Sequence, residues 1–209
     1  MKGVVATPGN LGGPNWSGFS FDPTRNLLLV NTNNLPAFVR LVPPGQLDAA
    51  DRANTHGEVA PQHGAPYGML RRFLFAGPSD SPCAKPPWGE LMAIDLARGV
   101  TRWRRPIGTM TEINPALNNE NFGSISLGGT ITTGGGLTFI GGTADRRFRA
   151  FDTDTGKTLW STELPASAHA TPMTYQFKGR QYVVIAAGGH AKLSEERQGD
   201  AILAFALPR

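Results

Sequence analysis

The chain has 209 residues, with 20 Lys and Arg against 16 Asp and Glu, for a formal net charge of +4. Its 26 glycines and 17 prolines make about a fifth of the sequence against an average near 12%, which excludes an architecture of long helices and favours many short strands. The single cysteine, Cys83, excludes an internal disulfide framework, no run of about 18 apolar residues is present to span a bilayer, and the start "MKGVVATPGN" lacks the apolar core of a signal peptide.

In chain order, a glycine-rich turn, "GNLGGPNW" (9–16), precedes a first hairpin-like phrase, "FSFDPTRNLLLVNTNN" (19–34). Residues 37–88 then interrupt the pattern with "LVPPGQ", "APQHGAPYG" and "SPCAKPPWG", whose prolines predict an ordered surface loop over one face and not a separate domain. The phrase "LMAIDLARGVTRWRRPIG" (91–108) predicts two strands around a turn. Next come "ITTGGGLTFIGGTADRR" (131–147) and "FRAFDTDTGKTLWSTELP" (148–165), which repeat the two earlier phrases. In the second of these, Phe148, Ala150 and Asp152 alternate with Arg149 and Phe151 in a period of two. Asp154 to Lys157 predicts a tight turn with a positive φ at Gly156 and an aspartate bonded to nearby backbone, and Trp160 returns on the next strand. A third copy, "MTYQFKGRQYVVIAAGGH" (173–190) and "AILAFALP" (201–208), stops after one strand of its second phrase. Arginines cluster at 71/72, 102/104/105 and 146/147/149, beside predicted turns and without interleaved aromatics, so no nucleic-acid partner is expected.

Two hairpins in 35–45 residues make the four-stranded unit of a β-propeller blade, with the tryptophan packing one sheet on the next. The expected fold is therefore all-β, a partial β-propeller of about three four-stranded antiparallel blades, one domain over 1–209 with an insertion at about 37–88. Three blades do not close a ring, so the chain reads as the C-terminal portion of a larger propeller.

The phrases "LPASAHATPMTYQFKGRQYVVIAAGGH", "GGTITTGGGLTFIGGTADRRFRAFDTDTGKTLW", "TPGNLGGPNWSG" and "PPWGELMAIDL" resemble, in order, the C-terminal end of membrane-bound quinoprotein dehydrogenases, glucose dehydrogenases above all, with quinate-type enzymes near them. The resemblance implies an eight-bladed propeller carrying pyrroloquinoline quinone (PQQ) with Ca²⁺ or Mg²⁺. It implies oxidation of a sugar or polyol hydroxyl, most simply glucose to gluconolactone, at the periplasmic face of the inner membrane, with electrons passed to ubiquinone. It also implies that the base, a PQQ-contacting lysine and the metal ligands belong to earlier blades, so no catalytic residue is expected here and the chain alone is expected to be inactive. The alternatives are a quinate or shikimate dehydrogenase, and a non-catalytic propeller module for binding or assembly.

Four residues are singled out on that basis. Asn10 matches a cofactor-lining position, the alternative being a turn residue. Trp16 either lies against the planar cofactor or fills a core between blades. Asp145, in "GGTADRR", is expected near the substrate, the alternative being hairpin chemistry with Arg146 or Arg147. His190, closing "VVIAAGGH", offers an imidazole to a substrate hydroxyl, the alternative being a solvated loop histidine. The loop after it, "AKLSEERQGD", departs from that of glucose enzymes. His56, Glu58 and His63 lack helical metal-ligand spacing and are read as loop residues.

Overall fold

A computed structural model describes residues 2–53, 57–76, 80–190 and 196–208. In chain order its elements begin with β1 (Val4–Ala6), β2 (Ser20–Asp22), β3 (Leu27–Asn33), β4 (Ala37–Val42), helix α1 (Leu47–Ala53) and β5 (Glu58–Pro61). They continue with β6 (Gly68–Phe73), β7 (Phe75–Ala76), β8 (Ser81–Pro82), β9 (Gly89–Asp95) and β10 (Val100–Pro106). The rest are β11 (Ile131–Thr132), β12 (Leu137–Ile140), β13 (Arg147–Asp152), β14 (Thr158–Glu163), β15 (Met173–Phe177), β16 (Arg180–Ala187) and β17 (Ala201–Phe205). They divide into two compact units, Met1–Gly12 with Asn34–Lys85, and Gly13–Asn33 with Pro86–Arg209.

The first unit gives regular strands to much of 37–88, where an ordered surface loop is expected from the sequence. It holds an antiparallel sheet in the order β1-β4-β6-β5 and a short β7–β8 pair. The run Ala37-Phe38-Val39-Arg40-Leu41-Val42 pairs along its whole length with β6, from Ala37 opposite Phe73 to Val42 opposite Gly68. Pro36 and Pro43 flank this strand and do not interrupt it, because proline is excluded from the middle of a ladder but not from its ends. Val42, Ala50 and Leu70 form its buried cluster, with Phe38, Leu47 and Val59 packed against them.

The second unit holds three antiparallel sheets, ordered β10-β9-β3-β2, β11-β12-β13-β14 and β15-β16-β17. Each complete phrase is a hairpin, and the third sheet has three strands, as the truncated third copy predicts. Trp103 stands opposite Ala93 and Trp160 opposite Ala150, each beside a register shift, so the two tryptophans occupy equivalent places. Trp103 packs on Leu27, Leu29 and Ala93 of its own sheet and on Leu91, Ile107, Ile140 and Phe151. Its Nε1–H donates to the Thr153 carbonyl at 3.0 Å. Trp160 meets Phe148 and, on the third sheet, Phe205 edge-on, with centroids 5.9 and 5.2 Å apart. Phe148, Phe151, Leu91 and Ile185 are buried in these seams, so β13 buries a phenylalanine on each face, Phe148 on one and Phe151 on the other.

The three turns also repeat. Gly156 has φ +70° and would press a Cβ within 2.6 Å of the Trp103 ring, so both conformation and space require glycine there. The aspartate that binds the turn is Asp152 and not the expected Asp154: its Oδ1 accepts from Thr155 N–H and Oγ1–H, both at 2.8 Å. Asp95 accepts in the same way from Ala97 and Arg98, and Asp22 from Thr24 and Arg25. Asp154 instead pairs with Arg25 at 2.9 Å, tying the second sheet's turn to the first sheet's.

Candidate functional site

In each sheet of the second unit the connection after the second strand leaves from the same end. After β3 it begins at Asn33, after β12 it is residues 141–146, and after β16 it begins at Gly188. The connections into the next sheet's first strand, residues 107–130 and 164–172, return to that end. Side-chain chemistry therefore gathers there by topology.

Its floor is buried and polar. Asn31, Asn33, Ser124, Ser126 and Thr143 are all at most 3% exposed. Asn33 accepts the Ser126 N–H at 2.8 Å on Oδ1 and returns Nδ2–H to the Ser126 carbonyl at 2.9 Å. Asn31 donates through Nδ2 to Ser126 Oγ at 3.0 Å. Its Oδ1 is buried with no hydrogen-bond partner among the described residues. Buried polar atoms are nearly always satisfied, so this oxygen is suited to a donor from a bound molecule. Ser126 also bridges Thr143, joining the floor to the loop that carries Asp145.

Asp145 is the hub of that loop. Oδ1 accepts from Thr143 Oγ1–H at 2.7 Å and from Arg149 Nη1 at 3.1 Å, and Oδ2 accepts from Thr109 N–H at 3.1 Å and from Arg149 Nη2. The ion-pair partner is Arg149 and not Arg146 or Arg147, of which Arg147 gives only its backbone N–H at 3.3 Å, and the pair is buried, with side chains 6% and 8% exposed. The reason is strand geometry: Arg149 lies on β13, buried beside the loop, whereas Arg146 turns to Glu112 and Glu163. A polar cleft of about 550 Å³ opens beside this pair, lined by Arg105, Thr109, Glu112, Asp145, Arg147 and Glu163 among others.

His190 is half-buried at the end of β16. Its ring meets that of His169 edge-to-face at 5.8 Å, and His169 donates from Nε2 to Glu196 Oε2 at 2.8 Å. Gly128 packs closely between the 141–146 connection and the segment carrying His169, since a Cβ there would lie 3.0 Å from Gly142, from Ala170 and from His169. Trp16 is 78% exposed and so does not fill a core between sheets. Its neighbour Ser17 bonds the Leu127 carbonyl and accepts from Thr171, which brings Trp16 to the same end. Asn10 is an exposed turn residue of the first unit. His56 lies outside the described residues, Glu58 is paired with Arg71, and His63 is exposed. Among the described residues no group of three or more His, Cys, Asp or Glu is placed to hold a metal ion.

Sequence reasoning missed Asn31, Asn33, His169 and Glu196. The first two had a readable signal, two asparagines alternating inside an apolar strand run. His169 and Glu196 are 27 residues apart and carry none.

A family model described as the β-propeller domain of PQQ-dependent glucose/ethanol/alcohol dehydrogenases matches residues 1–183. The chain is 40% identical over 212 residues to quinoprotein glucose dehydrogenase A of Acinetobacter calcoaceticus, covering 99% of this chain and 26% of that protein. It is equally 40% identical over 216 residues to a probable quinate dehydrogenase (quinone) of Xanthomonas campestris pv. juglandis, covering 98% and 27%. Among solved structures, the quinohemoprotein alcohol dehydrogenase of Comamonas testosteroni superposes with a TM-score of 0.65 at 27% identity, over 99% of this chain and 28% of that one. The chain thus spans about a quarter of the length of the relatives it matches.

Proposed function

We propose, from the premise that the chain belongs to the PQQ-dependent glucose/ethanol/alcohol dehydrogenase β-propeller family, that it supplies C-terminal blades to a quinoprotein oxidising a sugar or polyol hydroxyl. The observation that carries this reading is the buried, unsatisfied Asn31 Oδ1 at the end of the sheets where the Asp145 and His190 loops gather. Within the second unit, an acceptor from Asn31 and an exposed indole face from Trp16 suit a planar polar cofactor. When bound, PQQ supplies the two-electron acceptor for the hydroxyl-bearing carbon. Within this chain, Asn31 accepts from the cofactor, Asp145 with Arg149 fixes the wall of the polar cleft on the substrate side, and His190 binds a substrate hydroxyl. The proton-accepting base, the ligands of Ca²⁺ or Mg²⁺ and the path to ubiquinone are assigned to the remainder of the whole protein, at the periplasmic face of the membrane.

Glucose is the leading substrate, and quinate stands beside it because the likeness to a probable quinate dehydrogenase is as high as that to a glucose enzyme. The test joins this chain to the upstream three quarters of the Acinetobacter calcoaceticus relative and compares kcat/KM for glucose, quinate and glycerol. A preference for glucose or quinate is expected. His190→Asn should raise KM by up to about tenfold, the loss of one uncharged hydrogen bond, with a smaller change in kcat. A folded, PQQ-loaded hybrid that oxidises none of the three would contradict the proposal.

A further inference from the structure

The connection between β14 and β15 holds an unusual set of atoms. Ala166, Ser167 and Ala168 are fully buried, and His169 is 5% exposed. Its imidazole meets Glu196, whose side chain is 0% exposed, with Nε2 at 2.8 and 3.1 Å from the two carboxylate oxygens. Because a carboxylate accepts, Nε2 carries the proton of that bond, which fixes the tautomer and the ring plane. His169 Nδ1 and Ser167 Oγ remain buried without partners among the described residues. A well-packed apolar side chain would serve stability as well as such a pair.

The geometry gives the pair a different task. Residues 167–169 hold the β16–β17 connection at both ends: Gly189 N–H donates to the Ser167 carbonyl at 2.8 Å, and Glu196 is bound by His169. Between these two anchors lies His190, with its ring edge-to-face on His169 at an interplanar angle of 82°. Gln198 Nε2–H reaches the Glu196 carbonyl at 3.1 Å and the His190 carbonyl at 3.4 Å. Gly189 has φ +72°, and a Cβ there would fall 2.6 Å from the Arg197 carbonyl, so the two sides of the connection are closely packed.

We infer that His169, locked by Glu196, is the positioning residue for His190, setting the ring plane with which His190 meets a hydroxyl of a sugar or cyclic polyol. The inference rests on the functional reading above for its substrate, but its test needs neither substrate nor cofactor. The 209-residue chain is labelled with ¹⁵N in its imidazoles, and long-range ¹H–¹⁵N spectra are recorded at neutral pH. One histidine, assigned to His169 by its loss in His169→Gln, should show the Nε2–H tautomer alone. Glu196→Gln should turn it into a tautomeric mixture and at the same time shift the ring resonances of His190, with the far-ultraviolet circular dichroism unchanged. His190→Asn should leave the His169 tautomer as it was, because it is His169 that the Glu196 carboxylate holds. If Glu196→Gln fails to fold, His169→Gln gives the second reading and should shift His190 in the same way. His190 resonances that stay in place while His169 changes or is removed would overturn the inference. A failed substrate panel with this coupling intact would instead overturn the assignment of the substrate.

Discussion

Asp145 holds its loop through both carboxylate oxygens. Its two carboxylate oxygens are engaged by Thr109, Thr143 and Arg149, and the ion pair is buried. Removing one member of such a pair leaves an uncompensated charge, so Asp145→Asn should destabilise the chain by about 3–5 kcal/mol in urea unfolding. Adding Arg149→Met should recover part of that loss, and a single-mutant effect below about 0.5 kcal/mol would show that the pair does not hold the loop. Asp152 makes a second, pH-dependent statement. Hydrogen bonds from the Thr155 side chain and backbone hold its carboxyl below the usual range, against the opposing effect of burial. A folded-state value below the unfolded one contributes stability that is present above the unfolded pKa of about 3.9 and is lost as pH falls through the folded value. Asp152→Asn should therefore trail the natural chain at neutral pH, with the gap narrowing below about pH 4. A gap constant from pH 7 to pH 3 would refute this.

At the scale of the element, the repeated hairpin is a device for joining sheets. Trp103 spans from its own sheet to the next sheet's turn, where the Thr153 carbonyl accepts its Nε1–H and Gly156 leaves room for its ring. Trp103→Ala should cost about 3 kcal/mol, the low end for truncating a packed tryptophan, because the residue is only half-buried. Gly156→Ala should cost more than about 1 kcal/mol through its positive φ. Because the two residues touch, the double variant should lose less than the sum, and strict additivity would mean that the seam is held elsewhere. These elements were legible because period-two alternation and turn chemistry are local. The sheet at 37–73 was not, since prolines at the ends of β4 look the same in sequence as prolines that break a strand. The turn aspartate was misplaced by two residues for a similar reason: Asp152 and Asp154 are interchangeable in composition, and only the backbone decides which one caps.

For the whole molecule, the repeats and the order of the matching phrases foretold three adjoining sheets and the family of relatives. The Asp145 and His190 loops were singled out on the family resemblance, at places where a strand gives way to glycines and a polar residue. The floor beneath them was not, because Asn31, Ser126 and Thr143 meet only when two sheets are laid side by side. His169 and Glu196 are likewise joined only by the return of the β16–β17 connection. We propose above that this polar end contributes to a PQQ dehydrogenase site that works only within the whole propeller. PQQ-dependent dye reduction, measured side by side for the 209-residue chain and for its fusion to the upstream portion of the Acinetobacter calcoaceticus relative, tests it most directly. Steady turnover of glucose or quinate is expected from the fusion, abolished when PQQ is withheld, and none from the chain alone. Turnover by the chain alone, or a folded fusion that stays silent with PQQ and Ca²⁺ or Mg²⁺ supplied, would contradict it.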